Sequence, residues 1–154
     1  MVSNPKKFIP ENNSKSFETF PFFWITRING KYVNLIEKTL KNIKIDNTKR
    51  KILLTVEALD EPNITEIANF AYLKLTTATK SVYKLQEQGL LRCFSSPKDE
   101  RITIVQLTSE GEEILEKLHQ INLVALSGVF FQFEEGELDE LNRLLIKLYK
   151  ILPD

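Results

Sequence analysis

The sequence predicts a mainly α-helical chain with one small β-hairpin, an α+β fold in the element order α-α-α-α-β-β-α-α. Three observations predict it. Apolar residues recur at three- and four-residue spacing through most of the chain, the period of a helix with one buried face. That period gives way once, where the apolar, β-branched runs Leu91–Phe94 and Ile102–Leu107 flank the polar stretch Ser95-Ser96-Pro97-Lys98-Asp99-Glu100. Residues suited to capping, Asp46, Asn63 and Thr108 among them, stand just ahead of helical segments, and Gly89 stands just behind one.

Residues 1–16 are polar, broken by Pro5 and Pro10 and without an apolar stripe, and are expected to form a flexible N-terminal arm. The first helix, within 17–45, is expected to begin near Thr19 as N-cap, with Pro21 in its opening turn. Its stripe is Phe20, Trp24, Ile28, Tyr32, Leu35, Ile36, Leu40 and Ile43, and Phe22, Phe23 and Ile25 widen it beyond what one partner covers. A second helix follows Asp46, turns Ile52, Leu53, Val56 and Leu59 inward, and is stopped by Glu61-Pro62. A short third helix spans about Thr65 to Tyr72, capped by Asn63 or Thr65, and a fourth runs from Thr76 or Thr77 to Gln88. Thr108 caps the fifth helix, whose first turn holds Glu110, Glu112 and Glu113 at the positive end of its dipole. A sixth covers about Glu135 to Leu152.

At roughly 100–200 residues per domain, 154 residues make one folded unit. The 21 basic and 21 acidic side chains cancel, yet they are segregated: net +3 over Lys74–Arg101 and −6 over Ile102–Asp154. Such a division presents a locally positive face on a neutral molecule. One cysteine, Cys93, and one histidine, His119, exclude a disulfide framework and a Cys/His zinc site within one chain. There is no nucleophile–base pair and no glycine-rich phosphate loop, so neither enzyme chemistry nor a cofactor is expected. No apolar run approaches the ~20 residues of a membrane span and no signal peptide opens the chain, so the expected location is cytoplasmic, with no membrane partner.

Two short helices joined by a tight turn and followed by a hairpin describe a winged helix-turn-helix. In the fourth helix Ala78, Val82 and Leu85 face the domain, while Thr76, Thr77, Lys80 and Lys84 lie on the other side, flanked by Thr79, Ser81 and Tyr83. That outer face holds hydroxyls and cations and no carboxylate until Glu87. It suits a phosphate-lined groove, where hydroxyls and helical N–H groups hold backbone oxygens and lysines reach base edges. In the hairpin loop Ser95, Ser96 and Lys98 are candidate phosphate contacts.

The run Asp99-Glu100-Arg101, the strand Ile102 to Leu107, and Leu107-Thr108-Ser109-Glu110-Gly111 together resemble the D-x-R, strand, L-T-x-x-G string of MarR-family transcription regulators. Upstream, Glu66-Ile67-Ala68, Thr76-Thr77-Ala78-Thr79-Lys80, Leu85 and Gly89-Leu90-Leu91-Arg92 stand at the family's spacing. The resemblance implies a homodimer on pseudo-palindromic double-stranded DNA that acts as a repressor. It makes 46–108 the DNA-binding lobe, and 17–45 and 109–154 the dimerisation helices. It puts the fourth helix in the major groove, Arg101 in or beside the minor groove, and gives Asp99 the task of positioning Arg101. Lys80 stands where many members have arginine, which removes the bidentate fork.

The family also implies a small aromatic or phenolic effector between the dimerisation helices and the lobe. Phe20, Phe23 and Trp24, with Arg27 as the anion partner, are the candidates for such a pocket. The cysteine of the family's peroxide-sensing branch is missing from the first helix, and Cys93 in the first strand reads as a small buried residue. The competing reading is a protein-interaction module, or an antirepressor, that keeps the winged shape without binding DNA. Lys80 and the neutral total charge are what favour it.

Overall fold

The computed structural model describes residues 4–10 and 17–153. Among them run α1 (Pro21–Asn42), α2 (Asn47–Ala58), α3 (Ile64–Phe70), α4 (Leu75–Glu87), β1 (Leu91–Ser95), β2 (Thr103–Leu107), α5 (Ser109–Phe130) and α6 (Glu137–Ile151). The order matches the hydrophobic period. Within the segment expected to be a flexible arm, Pro5–Phe8 forms a single 3-10 turn capped by Asn4, and residues 1–3 and 11–16 lie outside those described.

Helix ends follow local chemistry. Proline has a fixed φ and no N–H, so it belongs at the first helical position. Pro21 takes that place, and Phe20 rather than Thr19 becomes the N-cap. Thr19 instead ends a short 3-10 turn, Phe17–Thr19, and its hydroxyl donates to the Lys7 carbonyl at 3.2 Å. Asp46 caps α2 by accepting from the Lys49 N–H at 2.8 Å. Asn63 and Glu66 close a reciprocal capping box on α3 at 3.0 and 2.8 Å. Thr108 caps α5, accepting from the Gly111 N–H at 3.0 Å and donating to the Gly89 carbonyl at 2.6 Å.

The helix α2 ends at Ala58, ahead of Glu61-Pro62. Pro62 is buried, and its carbonyl accepts from the Val105 N–H at 2.9 Å. Beside it an isolated antiparallel bridge joins Asn63 to Ile104. The hairpin itself pairs Leu91 with Leu107 and Ser95 with Thr103 at its two ends. The start of α3 is therefore stitched to the back of β2, which fixes the hairpin against the helix pair.

The inward residues of α4, Ala78, Val82 and Leu85, are fully buried. Val82 and Leu85 share one core with Ile36, Leu40, Ile52, Leu53, Ile67, Leu91, Val105, Leu115 and Leu118. Each such side chain contributes roughly 1.5–3 kcal/mol on burial, so the lobe, the second half of α1 and the first half of α5 hold together as one body. At Gly111 an added Cβ would lie 2.1 Å from the Leu90 carbonyl oxygen, and only glycine lets α5 come this close to the start of β1. Elsewhere the apolar stripes are uncovered: Ile28 of α1 is 62% exposed, Leu123 and Val124 of α5 are exposed, and α6 buries no residue. No helix of the described residues is long and apolar enough to cross a membrane.

Candidate nucleic-acid interface

With Ala78, Val82 and Leu85 turned inward, the helical period leaves Thr76, Thr77, Lys80 and Lys84 exposed on α4. Thr79 is half-buried, and its hydroxyl donates to the Leu75 carbonyl at 2.8 Å. Lys74 stands at the N-cap and no side chain caps the helix; the Thr77 N–H donates to the Lys74 carbonyl at 2.9 Å, which leaves the Leu75 and Thr76 N–H groups for an external acceptor. The positive end of the helix dipole lies at the same place. The ion pairs among the described residues are His119–Glu57 and Arg143–Glu140. No described carboxylate therefore neutralises Lys74, Lys80, Lys84, Lys98 or Arg101 by contact.

The loop between the strands is built by its own backbone. The Ser96 N–H donates to the Ile102 carbonyl at 2.8 Å, and the Ile102 N–H to the Asp99 carbonyl at 2.9 Å. Asp99 Oδ1 accepts from the Arg101 N–H at 2.9 Å. This is an Asx-type turn: the acid orients Arg101 through the main chain and leaves the exposed guanidinium without an ion-pair partner among the described residues. Ser95 and Lys98 are exposed. Ser96 corrects the expectation of a phosphate contact, because it is buried and its hydroxyl accepts from the Lys98 N–H at 3.3 Å. Its hydroxyl shapes the loop.

The wing and the helix pair meet in a groove of about 300 Å³, lined by Asn63, Ile64, Thr65, Leu75, Thr79, Arg101, Ile102 and Thr103. The structure thus brings Arg101 and Thr79 together, while Thr76, Thr77, Lys80 and Lys84 lie outside this groove on the exposed side of α4. Thr65 belongs to the groove and was not among the sequence candidates. Its position follows from the Asn63–Ile104 bridge, a tertiary contact that no local pattern encodes.

The aromatic candidates form a ring cluster on the first turns of α1. Phe20 and Phe23 are half-buried, and Trp24 and Arg27 exposed. Phe23 stacks on Phe17 at 6.0 Å and meets Trp24 edge-on at 5.2 Å, while Phe20 pairs with Phe22 at 5.5 Å. The Arg27 guanidinium lies 5.4 Å from the Phe23 ring centre, a cation–π contact. The Trp24 Nε1–H donates to the Glu18 carbonyl at 2.8 Å. Cys93 is half-buried, and burial pushes its thiol above the usual range.

The MarR family model matches residues 45–103, from the end of the first helical segment through the wing loop. The HTH-type transcriptional repressor IacR of Pseudomonas putida is 33% identical over 136 residues, which are 88% of this chain and 81% of that repressor. A mutant MarR of E. coli complexed with operator DNA matches with a TM-score of 0.71 and 24% identity, covering 84% of this chain and 91% of that one. BpsR of Bordetella bronchiseptica, whose DNA binding is regulated by 6-hydroxynicotinic acid, matches with a TM-score of 0.75 and 17% identity, covering 91% of this chain and 97% of its own. These two likenesses carry the fold. With the identity to the repressor over most of both chains, they lead to one conclusion: the chain belongs to the MarR family of transcription regulators.

Proposed function

We propose that the protein is a repressor that binds pseudo-palindromic duplex DNA as a homodimer, with α4 in the major groove and the wing loop at the adjacent minor groove. The observation that carries this reading is the α4 face of Thr76, Thr77, Lys80 and Lys84, free of carboxylate contacts, beside a groove that seats Arg101 next to Thr79. Lys80 and Lys84 meet base edges, and the Thr hydroxyls, Ser95 and Lys98 hold phosphates. Arg101 is drawn to the enhanced negative potential of a narrow minor groove, oriented by Asp99. The exposed apolar faces of α1, α5 and α6 support a two-fold partner. Such symmetry spaces the two α4 helices by about one DNA turn, ~34–36 Å. The regulators that this chain resembles are not enzymes by name, and catalysis has no part in the reading.

Selection of bound sequences from a random duplex pool, followed by gel shifts across salt concentration, tests this. Two inverted half-sites about one turn apart support it. Recovery of no preferred sequence, or of a single unpaired half-site, refutes it.

The reading extends to an effector, a small aromatic or phenolic ligand that weakens DNA binding. The cluster of Phe20, Phe23 and Trp24 with Arg27 supports it by offering ring faces beside a cation. A ligand that binds the native state raises stability by mass action. Denaturation midpoints across a panel of aromatic acids test it, and no shift with any of them would remove the effector from the reading.

A further inference from the structure

Arg50, in α2, is 8% exposed, yet no carboxylate among the described residues lies within ion-pair distance. A guanidinium keeps its charge throughout the accessible pH range. Burying it is costly unless hydrogen bonds replace those to water. Here the replacements are all neutral. Nε donates to Asn47 Oδ1 at 3.2 Å and Nη1 donates to the Tyr32 hydroxyl at 3.1 Å. The guanidinium carbon also lies 5.3 Å from the centre of the Tyr32 ring. The Tyr32 hydroxyl, accepting from Arg50, donates onward to Asn122 Oδ1 at 2.9 Å. Donor and acceptor roles run in one direction, so each bond polarises the next.

This relay ties three helices. Asn47 and Arg50 belong to α2, Tyr32 to α1 and Asn122 to α5. The same α2 carries the recognition helix: Ile52, Leu53 and Val56 share the core with Val82 and Leu85 of α4, and Lys49 Nζ donates to Gln88 Oε1 at 3.0 Å just past its end. An apolar residue at position 50 would pack with less desolvation cost, but apolar surfaces lack direction and let packed helices shift past one another. Hydrogen bonds from a planar fork do not.

We propose that Arg50 is a positioning residue: through Tyr32 and Asn122 it locks α2, and with it α4, at one angle to the α1–α5 frame. In the dimer this lock sets the separation of the two recognition helices, a last step that rests on the DNA-binding reading above.

The test uses the full chain carrying Cys93→Ser, with spin labels on Lys31→Cys in α1 and Gln86→Cys in α4, diluted with unlabelled protein so that only distances within one chain are read. Tyr32→Phe keeps the ring and removes the hydroxyl, and Asn122→Ala removes the far acceptor. In both variants the single narrow distance broadens or splits. In parallel, the preference for the selected duplex over one with its half-sites moved by one base pair falls about two- to tenfold, the factor of one hydrogen bond of ordinary net worth. A distance that stays narrow in both variants overturns the proposal, even if their thermal midpoints drop, since the residues would then add stability without setting geometry. A broadened distance in a protein that shows no spacing preference on any duplex upholds the lock and refutes the DNA-binding reading instead.

Discussion

Asp99→Asn and Asp99→Ala separate two ways in which an acid can serve a wing arginine. Asp99 Oδ1 accepts the Arg101 N–H at 2.9 Å, and no ion pair joins the two side chains. Asparagine keeps an acceptor at that atom and loses only the charge, whereas alanine loses the bond as well. Removing a carboxylate near phosphates favours binding by about 0.4 kcal/mol at 10 Å in water, and both variants share that gain. The difference between them is then the turn alone, a net ~0.5–1.5 kcal/mol, or about two- to tenfold in duplex affinity. Asparagine should bind as well as aspartate or up to about twofold better, and alanine should fall behind asparagine by the turn's factor. Arg101→Ala sets the scale for losing the contact, at ~1–3 kcal/mol. Fluorescence anisotropy titration of a selected duplex at two salt concentrations measures all three. If asparagine proves as weak as alanine, the negative charge itself matters, an Asp99–Arg101 ion pair forms on DNA, and the main-chain account of the turn is wrong.

Gly111→Ala forces a methyl against the Leu90 carbonyl, which also accepts from the Thr108 N–H at 3.2 Å. It should lower stability by at least ~1–3 kcal/mol, the usual cost of overpacking, seen as a lower urea midpoint at unchanged slope. Lys80→Ala should cost ~1–3 kcal/mol on the selected duplex and blur base preference, whereas Lys98→Ala should weaken cognate and random DNA alike and reduce the salt slope by about one. Because burial raises the Cys93 thiol, its thiolate fraction at neutral pH lies below that of an open cysteine. Iodoacetamide should therefore modify it slowly at pH 7 and gain rate only above the ordinary thiol range. Leu145→Glu adds a charge to a helix that buries no residue in the single chain, so it should dissociate the proposed dimer in sedimentation while helical circular dichroism is retained.

The lobe was legible because its signals are local. Asp46, Asn63, Thr108 and Gly89 mark boundaries by chemistry that acts within a turn, and Ala78, Val82 and Leu85 mark one face by period alone. The exposed set Thr76, Thr77, Lys80 and Lys84 follows from the same period. What escaped depends on contacts between distant segments. Ser96 looks like any loop serine until the Ile102 carbonyl draws its N–H inward and the side chain follows. Thr65 enters the groove only through the Asn63–Ile104 bridge. Arg50 stands between Lys49 and Lys51 with no local signal of burial, and its place is decided by Tyr32 and by Asn122, which is 90 residues from that tyrosine. The spacing of the α1 stripe marks a buried helical face, yet within one chain Ile28 stays open to solvent, as does Leu123 of α5.

Electroneutrality and duplex recognition are compatible because charge acts by position. Beyond a Debye length of ~8 Å the field of exposed charges is largely screened, so a net charge of zero forfeits long-range attraction but not contact-range attraction. In the proposed complex the cations of α4 and the wing act at contact. Away from Arg101, the five acids Glu57, Asp60, Glu61, Glu112 and Glu116 line, with Arg92 and His119, a groove of about 630 Å³ that shares no residue with the one at Arg101. In the proposed complex, phosphates are repelled from the acidic groove and met at the other, so encounters that lead with α4 are favoured over the rest. A uniformly basic protein would gain affinity for every duplex in every orientation. Segregated charge gives up that general affinity and leaves more of the discrimination to the few groups that touch bases. On a helix whose proposed reading cation is Lys80, without the fork of an arginine, the loss of indiscriminate attraction helps the specific complex compete.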